Sequence, residues 1–430
     1  MANLIVRGGN KLVGEITPAG NKNSALPILC ATLLTDEIVT INNFPQLTDV
    51  SKLIELMKEL GSQVNWDKEK QSIEINNANF CKSFGDSGLP LGMRGALLIL
   101  APLLHRHRIL EIKQEIGGCA LGIREIDPHL EVFKSLGAEV TINEKLTIDA
   151  TKGLVGNTLW QDYMSVTTTE NFIMAACLAK GDSKMINSAS EPHVQDLCNF
   201  LIDMGAKIEG VGSSTIIVKG VDKLHGTKFT ISSDHHEITT LLALGAMTGG
   251  QVRVKNAMPQ HFQLINKTFA KFGVNILYDK DTAYSDNSGE LKVVEPYTKN
   301  LLQKVEAAPW PYFPADLLPL MMALSVKAKG NCMFWNKVYE AGLFWIPEMI
   351  KFGAHIVMCD PHRVIVFGGK DLSPATVDAP NIIRATVALL MVALTIDGES
   401  VINDADSIKR AHPNFVENLQ KLGADIKWQE

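Results

Sequence analysis

Six segments of the chain predict helices that are apolar on almost every face. In each segment a run of apolar residues leads into a polar turn and then into a short segment with the composition of a strand. A helix with apolar residues all round its surface is buried on all sides. We therefore expect six core helices, each followed by a strand. The segments span residues 23–43, 95–113, 170–189, 237–257, 316–336 and 384–404.

A second pattern alternates with the first. Apolar residues at helical spacing, such as Val194, Leu197 and Leu201, lead to a glycine, and a short strand-like segment follows it. Glycine adopts the left-handed conformation that closes many helices, so each glycine is predicted to end a helix and to precede a strand. The glycines recur 68 to 80 residues apart, at Gly61, Gly137, Gly205, Gly273, Gly353 and Gly423.

The two patterns together predict an α/β protein built from six internal repeats. The chain has 430 residues, of which 46% are hydrophobic and 20% are charged. This length and composition suit a globular protein of two or three domains. Six repeats are most simply arranged as three in each of two domains.

Charge and cysteine content narrow the classes of function. The net charge of −6 provides no basic surface of the kind that binds nucleic acid, so an anionic ligand has to be held by local charge. The seven cysteines are scattered and include no CxxC pair. This usage indicates a reducing compartment and argues against a disulfide framework or a structural zinc site.

Two further features bear on localisation. Residues 1–16 predict a strand and a turn rather than a signal peptide. The longest apolar runs, such as 385–396, are shorter than the roughly 18 residues that predict a membrane span. We expect a cytoplasmic protein.

Polar residues stand at the start of each predicted core helix, beside segments that are otherwise apolar. Helix N-termini carry unpaired amides and about half a positive charge. If the repeats are related by pseudo-symmetry, these helix ends converge on one cleft and form an anion site without a net basic charge. The residues are Lys22, Asn23, Arg94, 165–169, 234–237, Asp316 and Arg384.

Several of these residues also have a structural interpretation. Lys22 is either a solvated lysine before a helix or a ligand for phosphate or carboxylate. Arg94 and Arg384 adjoin apolar runs and need partners if buried, so each is either a cation of the cleft or part of a structural ion pair. Asp316 is either a helix N-cap or a general base. Arg410, taken alone, is a surface arginine.

The segment IGGCALGIRE, residues 116–125, places Cys119 among three glycines, with Arg124 five residues after it. A nearby cation activates a thiol, and glycines let backbone amides approach a ligand. Two interpretations stay open. Cys119 is either a reactive thiol that donates or accepts a proton, or an inert buried cysteine.

Motifs for other chemistries are missing from the sequence or incomplete. Neither GxxxxGK[ST] nor GxGxxG after a strand occurs, so P-loop and Rossmann phosphate sites are unsupported. His235, His236 and Glu237 adjoin one another without HExxH or a cysteine pair, so we expect capping and hydrogen bonding there rather than metal binding. Residues 105–108, HRHR, predict a solvated turn between a helix and a strand.

In their order and spacing these segments resemble the enolpyruvyltransferase family, and within it the branch that uses UDP-N-acetylglucosamine. The similarity covers essentially the whole chain. It is carried by GNKNSALPIL near the start, MRGALLIL, GGCALGIREIDPH, FPADL, IIRATVAL, and IKRAHPNFVENLQKLGA at the end.

The resemblance implies a fold. Two domains, 22–232 and 1–21 together with 233–430, would form an inside-out α/β barrel with three repeats in each domain and the active site in the cleft between them. The Cys-bearing glycine loop argues against the branch of the family that acts on shikimate 3-phosphate.

The resemblance also implies an activity. The enolpyruvyl group of phosphoenolpyruvate moves to the 3-hydroxyl of UDP-N-acetylglucosamine and phosphate is released, which is the first committed step of peptidoglycan synthesis. Such a transferase serves cell wall biogenesis and cell shape. Its implied ligands are phosphoenolpyruvate and a UDP-sugar, and it needs neither a metal nor a cofactor.

Residue roles follow from the same resemblance. Cys119 corresponds to the acid that protonates C3 of phosphoenolpyruvate, Asp316 to the base for the sugar hydroxyl, and Lys22 joins them in catalysis. The implied phosphoenolpyruvate ligands are Lys22, Asn23, Arg124, Arg384 and Arg410. The implied UDP-sugar ligands are Asn23, Arg94, Arg124, Asp127, Ser165, Val166, Asp316 and Val338.

Four positions depart from the family pattern. Gly342 stands where an arginine is usual, Tyr163 where a lysine is usual, and Thr167 where a glycine is usual. Glu125 follows Arg124 in place of a proline. These departures keep two alternatives open: the same transfer to a different nucleotide or sugar acceptor, or a catalytically silent paralogue that binds a UDP-sugar.

Overall fold

The fold is described from a computed structural model of the chain. It describes residues 2–80, 94–112, 125–286, 289–410, 412 and 414–429, with the backbone alone at 94–96.

The chain divides into two compact units. The first unit contains the described residues of 20–232, and the second unit contains those of 1–19 and 233–430. Each unit encloses its own hydrophobic core. The chain therefore begins in the second unit, passes through the whole of the first unit and returns.

The α-helices fall into a core set and an outer set that alternate along the chain. In the described residues the α-helices are α1 Lys22–Ala31, α2 Thr48–Glu59, α3 Leu100–His107, α4 Asp127–Ser135, α5 Val166–Cys177, α6 Pro192–Asp203, α7 His235–Thr248, α8 Gln263–Ala270, α9 Leu318–Lys327, α10 Ile346–Ile350, α11 Ile383–Leu394 and α12 Phe415–Lys421. The core helices are α1, α3, α5, α7, α9 and α11, and the outer helices are α2, α4, α6, α8, α10 and α12. The 3₁₀-helices are Thr32–Leu34, Arg94–Ile99, Pro259–His261, Ala315–Leu317 and Ala405–Arg410.

The strands are short and distributed along the whole chain. Their bounds are β1 Asn3–Gly8, β2 Val13–Ile16, β3 Val39–Asn42, β4 Gln63–Asp67, β5 Ser72–Asn76, β6 Ile109–Ile112, β7 Glu139–Ile142, β8 Leu146–Asp149, β9 Thr158–Trp160, β10 Asp182–Ile186, β11 Lys207–Glu209, β12 Thr215–Lys219, β13 Lys228–Thr230, β14 Gln251–Val254, β15 Asn275–Asp279, β16 Thr282–Asp286, β17 Gln303–Ala307, β18 Gly330–Asn336, β19 His355–Asp360, β20 Arg363–Gly368, β21 Thr376–Asp378, β22 Gly398–Asn403 and β23 Asp425–Gln429.

Among the described residues these strands form six sheets, three in each unit. The strand orders in the first unit are β13-β3-β5-β4, β6-β8-β7 and β9-β10-β12-β11. The strand orders in the second unit are β2-β14-β16-β15, β17-β18-β20-β19 and β21-β22-β1-β23.

One pairing pattern recurs in these sheets. The strand that follows a core helix pairs antiparallel with an inner strand, and the inner strand pairs antiparallel with an edge strand. In the five four-stranded sheets a second edge strand pairs in parallel with the strand that follows the core helix in sequence. In the last sheet β1 is the inner strand, with Leu4 opposite Ile402 and Trp428.

The predicted core helices are buried on all sides. In α7 every residue from His235 to Met247 is buried, and in α11 the same holds from Arg384 to Leu394. α9 is buried from Leu318 to Val326, and α5 from Thr168 to Cys177. In α5, α7 and α11 most of the polar residues lie in the N-terminal half of the helix.

Each of the six recurrent glycines follows a helix, as predicted. Their φ angles lie between 75° and 111°, a range that L side chains rarely adopt. At five of the six glycines the backbone N–H of the next residue returns to the helix, as where Ala138 donates to the carbonyl oxygen of Phe133 and Ala206 to that of Leu201, both at 2.9 Å. This is the hydrogen bond of a Schellman cap. In all six cases an edge strand begins two residues after the glycine.

The prediction of a solvated turn at residues 105–108 is wrong. His105 to His107 form the last turn of α3. His105 Nε2 lies 2.8 Å from the carbonyl oxygen of Ala175, and burial lowers the pKa of His105 to about 4. Arg106 donates to the carbonyl oxygens of Leu33 and Thr35. His105 therefore contacts α5, and Arg106 bonds to the backbone that follows α1, instead of both facing solvent.

In the part of the chain that the structure describes, we find no helix with the length and apolar character that crossing a membrane requires.

Gly137 offers a test of the helix-ending glycines. Its φ is +92° and an added Cβ would meet no atom within 4 Å, so Gly137→Ala adds backbone strain without a steric clash. We expect it to lower the free energy of unfolding by about 1–2 kcal/mol, measured by urea denaturation. The control is Gly289→Ala, where the added Cβ also meets nothing and φ is not left-handed. Equal effects of the two substitutions would contradict the cap assignment.

Candidate functional site

Lys22 is the first residue of α1 in the first unit. The side chain of Asn21 caps this helix by accepting a hydrogen bond from the backbone N–H of Asn23 at 2.8 Å. Lys22 Nζ lies 2.6 Å from Asp49 Oδ2, and the two side chains are only 13% and 15% exposed. Lys22 is therefore not a solvated lysine. It is a positive charge held at a helix N-terminus by the carboxylate of α2.

Buried hydrogen bonds fix the start of α1 against α6. Asp196, on α6, accepts from the hydroxyl of Ser24 at 2.7 Å and from the hydroxyl of Ser232 at 2.7 Å. Burial raises the pKa of Asp196, and these hydrogen bonds oppose the rise. Lys22 and Asn23 thus project from a rigid helix end.

The first turns of α4 and α5 meet through His129. His129 lies 3.3 Å from Thr167 Oγ1 and 2.8 Å from Asn171 Nδ2. Ser165 occupies the N-cap position of α5, and its hydroxyl lies 2.8 Å from the hydroxyl of Thr168. The predicted UDP-sugar ligands Asp127, Ser165 and Val166 stand at these two helix starts.

Glu170 is a buried acid one turn into α5. Burial raises the pKa of Glu170 well above its ordinary value, and the neighbouring carboxylate of Glu191 adds to the rise. The protonated form is therefore favoured in the folded protein. This carboxyl group contributes no anionic charge to the starts of α4 and α5 at pH values below its raised pKa.

In the second unit, Asp234 caps α7 and pairs with cations. Its Oδ1 accepts from the backbone N–H of His236 at 2.9 Å and lies 2.8 Å from His236 Nδ1. Arg384 Nη2 lies 3.8 Å from Asp234 Oδ2. Burial alone would raise the pKa of Asp234, but His236, Arg384 and His412 together lower it well below its ordinary value. Asp234 is therefore a buried anion.

Arg384 is surrounded by polar groups from other segments. Its guanidinium hydrogen-bonds His412 Nε2, and His412 Nδ1 lies 3.7 Å from Glu237 Oε2. Glu237 in turn accepts from the backbone N–H of Ala19 at 3.0 Å. The structural ion pair left open for Arg384 therefore exists, and it holds the guanidinium at the start of α11.

The polar residues at the start of α7 form an ion-pair network rather than a metal site. Asp234, His235 and His236 place one ligand atom each within 4.8 Å of one another. However, the acceptor oxygen of Asp234 is already engaged by His236, and the guanidinium of Arg384 supplies the countercharge. A divalent cation would be repelled by that guanidinium.

Asp316 lies in the 3₁₀-helix Ala315–Leu317 ahead of α9, and no side chain caps either helix. The N-cap interpretation of Asp316 is therefore wrong. Its Oδ1 accepts from the hydroxyl of Tyr339 at 3.1 Å, and its Oδ2 lies 3.8 Å from His236 Nε2. The Asp316 side chain is 33% exposed. A carboxylate that is hydrogen-bonded at one oxygen, close to an imidazole at the other and still accessible is well placed to accept a proton from a ligand.

The remaining predicted residues divide into two groups. Val338, next to Tyr339, is exposed, and its backbone N–H donates to Asn336 Oδ1 at 3.0 Å. Arg410 is exposed at the end of the 3₁₀-helix Ala405–Arg410. Cys119, Arg124 and the side chain of Arg94 lie outside the described residues.

Within the second unit the structure brings together the starts of α7, α9 and α11, through Asp234, Asp316 and Arg384. Sequence reasoning missed three of the side chains that make these contacts or pair with Lys22: Asp49, Tyr339 and His412. His412 stands in the quoted IKRAHPNF segment, where Arg410 alone was selected. Nothing in the sequence indicates that Tyr339 reaches Asp316, since the two lie 23 residues apart.

Gly342 leaves no room for the arginine that is usual there. A Cβ added at Gly342 would lie 2.1 Å from Asn336 Nδ2. Asn336 is buried and accepts from the backbone N–H groups of Val338 and Tyr339. The side chain of Asn336 therefore bonds to the backbone of Val338 and Tyr339 and also fills the space beside Gly342.

Comparison with known families identifies one match along nearly the entire chain. The family model described as EPSP synthase (3-phosphoshikimate 1-carboxyvinyltransferase) matches residues 6–419.

Comparison with characterised sequences gives full-length relatives. The UDP-N-acetylglucosamine 1-carboxyvinyltransferase of Borreliella burgdorferi is 38% identical over 427 residues and covers 99% of both chains. The protein of the same name from Bradyrhizobium diazoefficiens is 37% identical over 423 residues, covering 98% of this chain and 97% of its own.

Solved structures share the mixed α/β fold. The enolpyruvyl transferase NikO from Streptomyces tendae superposes with a TM-score of 0.85 at 20% identity, covering 100% of this chain and 99% of its own. EPSP synthase from Acinetobacter baumannii gives a TM-score of 0.77 at 15% identity, with full coverage of both chains.

Asp234→Asn tests the buried ion-pair network. It leaves the guanidinium of Arg384 without its main anion, and breaking a buried pair in this way costs about 3–5 kcal/mol. We expect that loss in the free energy of unfolding, measured by urea denaturation followed by tryptophan fluorescence. The control is Glu399→Gln, which breaks the exposed pair with Arg7 and should cost about 1 kcal/mol or less. A similar small cost for both would contradict the network.

Glu170→Gln tests the protonated buried acid. A carboxyl group whose pKa is raised on folding stabilises the protein below its unfolded pKa, about 4.3, and this contribution is lost as pH rises towards the folded pKa. The glutamine does not titrate. We therefore expect the unfolding temperature of the variant to rise relative to wild type between pH 4 and pH 7.

The control for Glu170→Gln is Glu55→Gln, on the exposed face of α2. A difference between Glu170→Gln and wild type that stays constant with pH, as in this control, would show that Glu170 is ionised in the folded protein.

Proposed function

The chain belongs to the EPSP synthase (3-phosphoshikimate 1-carboxyvinyltransferase) family, and on this premise we propose the acceptor and the roles of individual residues. The reaction transfers the enolpyruvyl group of phosphoenolpyruvate to the 3-hydroxyl of UDP-N-acetylglucosamine and releases phosphate, the first committed step of peptidoglycan synthesis. The observation that carries the proposal is the full-length identity of 38% to a relative with the name of that transferase.

The chemistry requires an acid, a base and fixed cations. Protonation at C3 of phosphoenolpyruvate makes C2 electrophilic, and the acceptor oxygen bonds to C2 as its proton passes to a base. The C2–O bond to phosphate then breaks, and loss of a proton from C3 restores the double bond. We assign the acid to Cys119 and the base to Asp316.

The geometry at Asp316 supports its assignment as the base. Its carboxylate is one-third exposed, so a bound hydroxyl can approach it. Tyr339 and His236 contact its two oxygens, which limits rotation of the carboxylate. A base held in one orientation needs less rearrangement before proton transfer.

Local cations balance the charge of the substrates. We assign Lys22, Asn23, Arg124, Arg384 and Arg410 to phosphoenolpyruvate. Lys22 at the N-terminus of α1 and Arg384 in the first turn of α11 combine side-chain charge with helix amides. Each is already held by a carboxylate in its own unit, so each is pre-positioned for an anion. We assign Asn23, Arg94, Arg124, Asp127, Ser165, Val166, Asp316 and Val338 to the UDP-sugar.

We also propose the finer architecture. Each unit corresponds to one domain of three repeats, 22–232 and 1–21 with 233–430, and each repeat contributes one core helix and one sheet to an inside-out α/β barrel. The recurring strand order of the sheets supports this proposal.

A second candidate is the same transfer to a different nucleotide or sugar. Thr167 carries a hydroxyl that contacts His129 at the start of α5, where the family usually has glycine. Asn336 occupies the space next to Gly342 where a guanidinium is usual. Thr167 directly follows Val166, and Asn336 accepts from the backbone N–H of Val338; Val166 and Val338 are both assigned to the UDP-sugar. The two changes leave Lys22, Asp316 and Arg384 in place.

A phosphate-release assay with phosphoenolpyruvate and UDP-N-acetylglucosamine tests the proposal. We expect turnover by the wild type, and a loss of about 10²- to 10⁴-fold in kcat for Asp316→Ala because the general base is removed. Cys119→Ser should also lose most activity. Glu399→Gln, on the surface, is the control that keeps wild-type turnover. Absence of phosphate from the wild type, or full activity of both site variants, would refute the proposal.

A further inference from the structure

His236 contacts two carboxylates from opposite sides of its ring. Nδ1 lies 2.8 Å from Asp234 Oδ1, and Nε2 lies 3.8 Å from Asp316 Oδ2. The Asp316 side chain is 33% exposed, whereas His236 is 3% exposed and Asp234 is 2% exposed. A ligand can therefore reach Asp316 but not His236, which lies beneath it.

Two neighbours at the start of α7, His235 and Asp234, keep the ring in this orientation. His236 packs on His235 with a distance of 3.9 Å between ring centroids. Since the Asp234 carboxylate is an anion and can only accept, Nδ1 of His236 carries the hydrogen of their bond. The Nε2 edge is then directed at Asp316. Asp316 acts as a base only as a carboxylate, which accepts, so a hydrogen bond between the two also requires a hydrogen on Nε2.

Asp234 is itself fixed, so the ring has a rigid support. Its Oδ2 lies 3.8 Å from Arg384 Nη2 and 3.9 Å from His412 Nδ1. Its Oδ1 caps the helix that carries His236, because it accepts from the backbone N–H of that residue at 2.9 Å. The carboxylate of Asp234 thus holds both the side chain of His236 and the first turn of α7.

We propose that His236 is a positioning residue for Asp316. Held by Asp234 through Nδ1, it presents Nε2 to Oδ2 of Asp316 and, together with the Tyr339 hydroxyl on Oδ1, fixes the plane of the carboxylate that receives the acceptor proton. This inference rests on the proposed function, and it adds a buried residue that touches neither substrate. The 3.8 Å separation is longer than a hydrogen bond, and such contacts commonly shorten in the complex with substrate.

Two amide substitutions separate the two edges of the ring. In His236→Asn the amide nitrogen occupies roughly the place of Nδ1, so the bond to Asp234 survives and the contact with Asp316 is lost. In His236→Gln the longer side chain brings its amide to the place of Nε2, so the contact with Asp316 survives. The pair therefore distinguishes positioning of Asp316 from support of Asp234.

The measurement is phosphate release under steady-state conditions, with kcat expressed per folded enzyme and folding checked by thermal unfolding. We expect His236→Asn to lower kcat about 10- to 100-fold with little change in either KM, and His236→Gln to keep most of the wild-type kcat. Equal kcat values for the two variants, or a larger loss in His236→Gln, would overturn the inference while wild-type turnover preserves the proposed function. No turnover by the wild type overturns both.

A second measurement leaves the buried ring unchanged. Asp316→Asn removes the carboxylate charge at a partly exposed position, and the ¹⁵N resonance of His236 Nε2 should shift relative to wild type. An unchanged Nε2 resonance would overturn the inference, even if neither His236 variant folds.

Discussion

A helix that is apolar on every face has to be enclosed on every face, and this constraint organises both units. α5, α7, α9 and α11 are buried along nearly their whole length. Sheets and outer helices have to surround each of them, which accounts for three described sheets in each unit. The outer helices end at left-handed glycines, and each glycine returns the chain into the edge strand of a sheet.

The same constraint requires the polar side chains of the core helices to find partners, and several of them lie at the helix starts. At the start of α7, α9 and α11 these side chains pair with one another, as Asp234 does with Arg384 and His236. A buried charge that is paired in this way is costly to disturb, and its orientation is fixed as a result. Lys22 and Asp49 repeat this arrangement at the start of α1 in the first unit. The residues that are proposed to bind an anion are therefore already held by structural ion pairs.

Much of this could be predicted from the sequence, and what could not has physical causes. Apolar runs and recurrent glycines predict helices and their ends, because burial and positive φ each restrict residue type strongly. Four charged or polar side chains in a row are typical of a turn, so residues 105–108 predict a solvated turn. The partners of His105 and Arg106 are instead carbonyl oxygens that are distant in sequence. For Asp316 the sequence allows a cap or a base, and the cap is excluded because neither the 3₁₀-helix Ala315–Leu317 nor α9 has a side-chain cap. The contacts that Asp316 makes instead, with Tyr339 and His236, are distant in sequence. Such long-range contacts between side chains leave no periodic pattern in a sequence.

Membership of the family establishes the class of reaction. The identity of the acceptor is the most specific part of the proposed function. In the proposed function, the departures at Thr167 and Gly342 bear on the acceptor, whereas Lys22, Asp316 and Arg384 are assigned to the transfer itself. The most direct test is mass spectrometry of UDP-N-acetylglucosamine incubated with the enzyme and phosphoenolpyruvate. We expect conversion to a species heavier by one enolpyruvyl group, with release of an equal amount of phosphate. Recovery of unchanged UDP-N-acetylglucosamine, while another nucleotide or sugar gains that group, would contradict it.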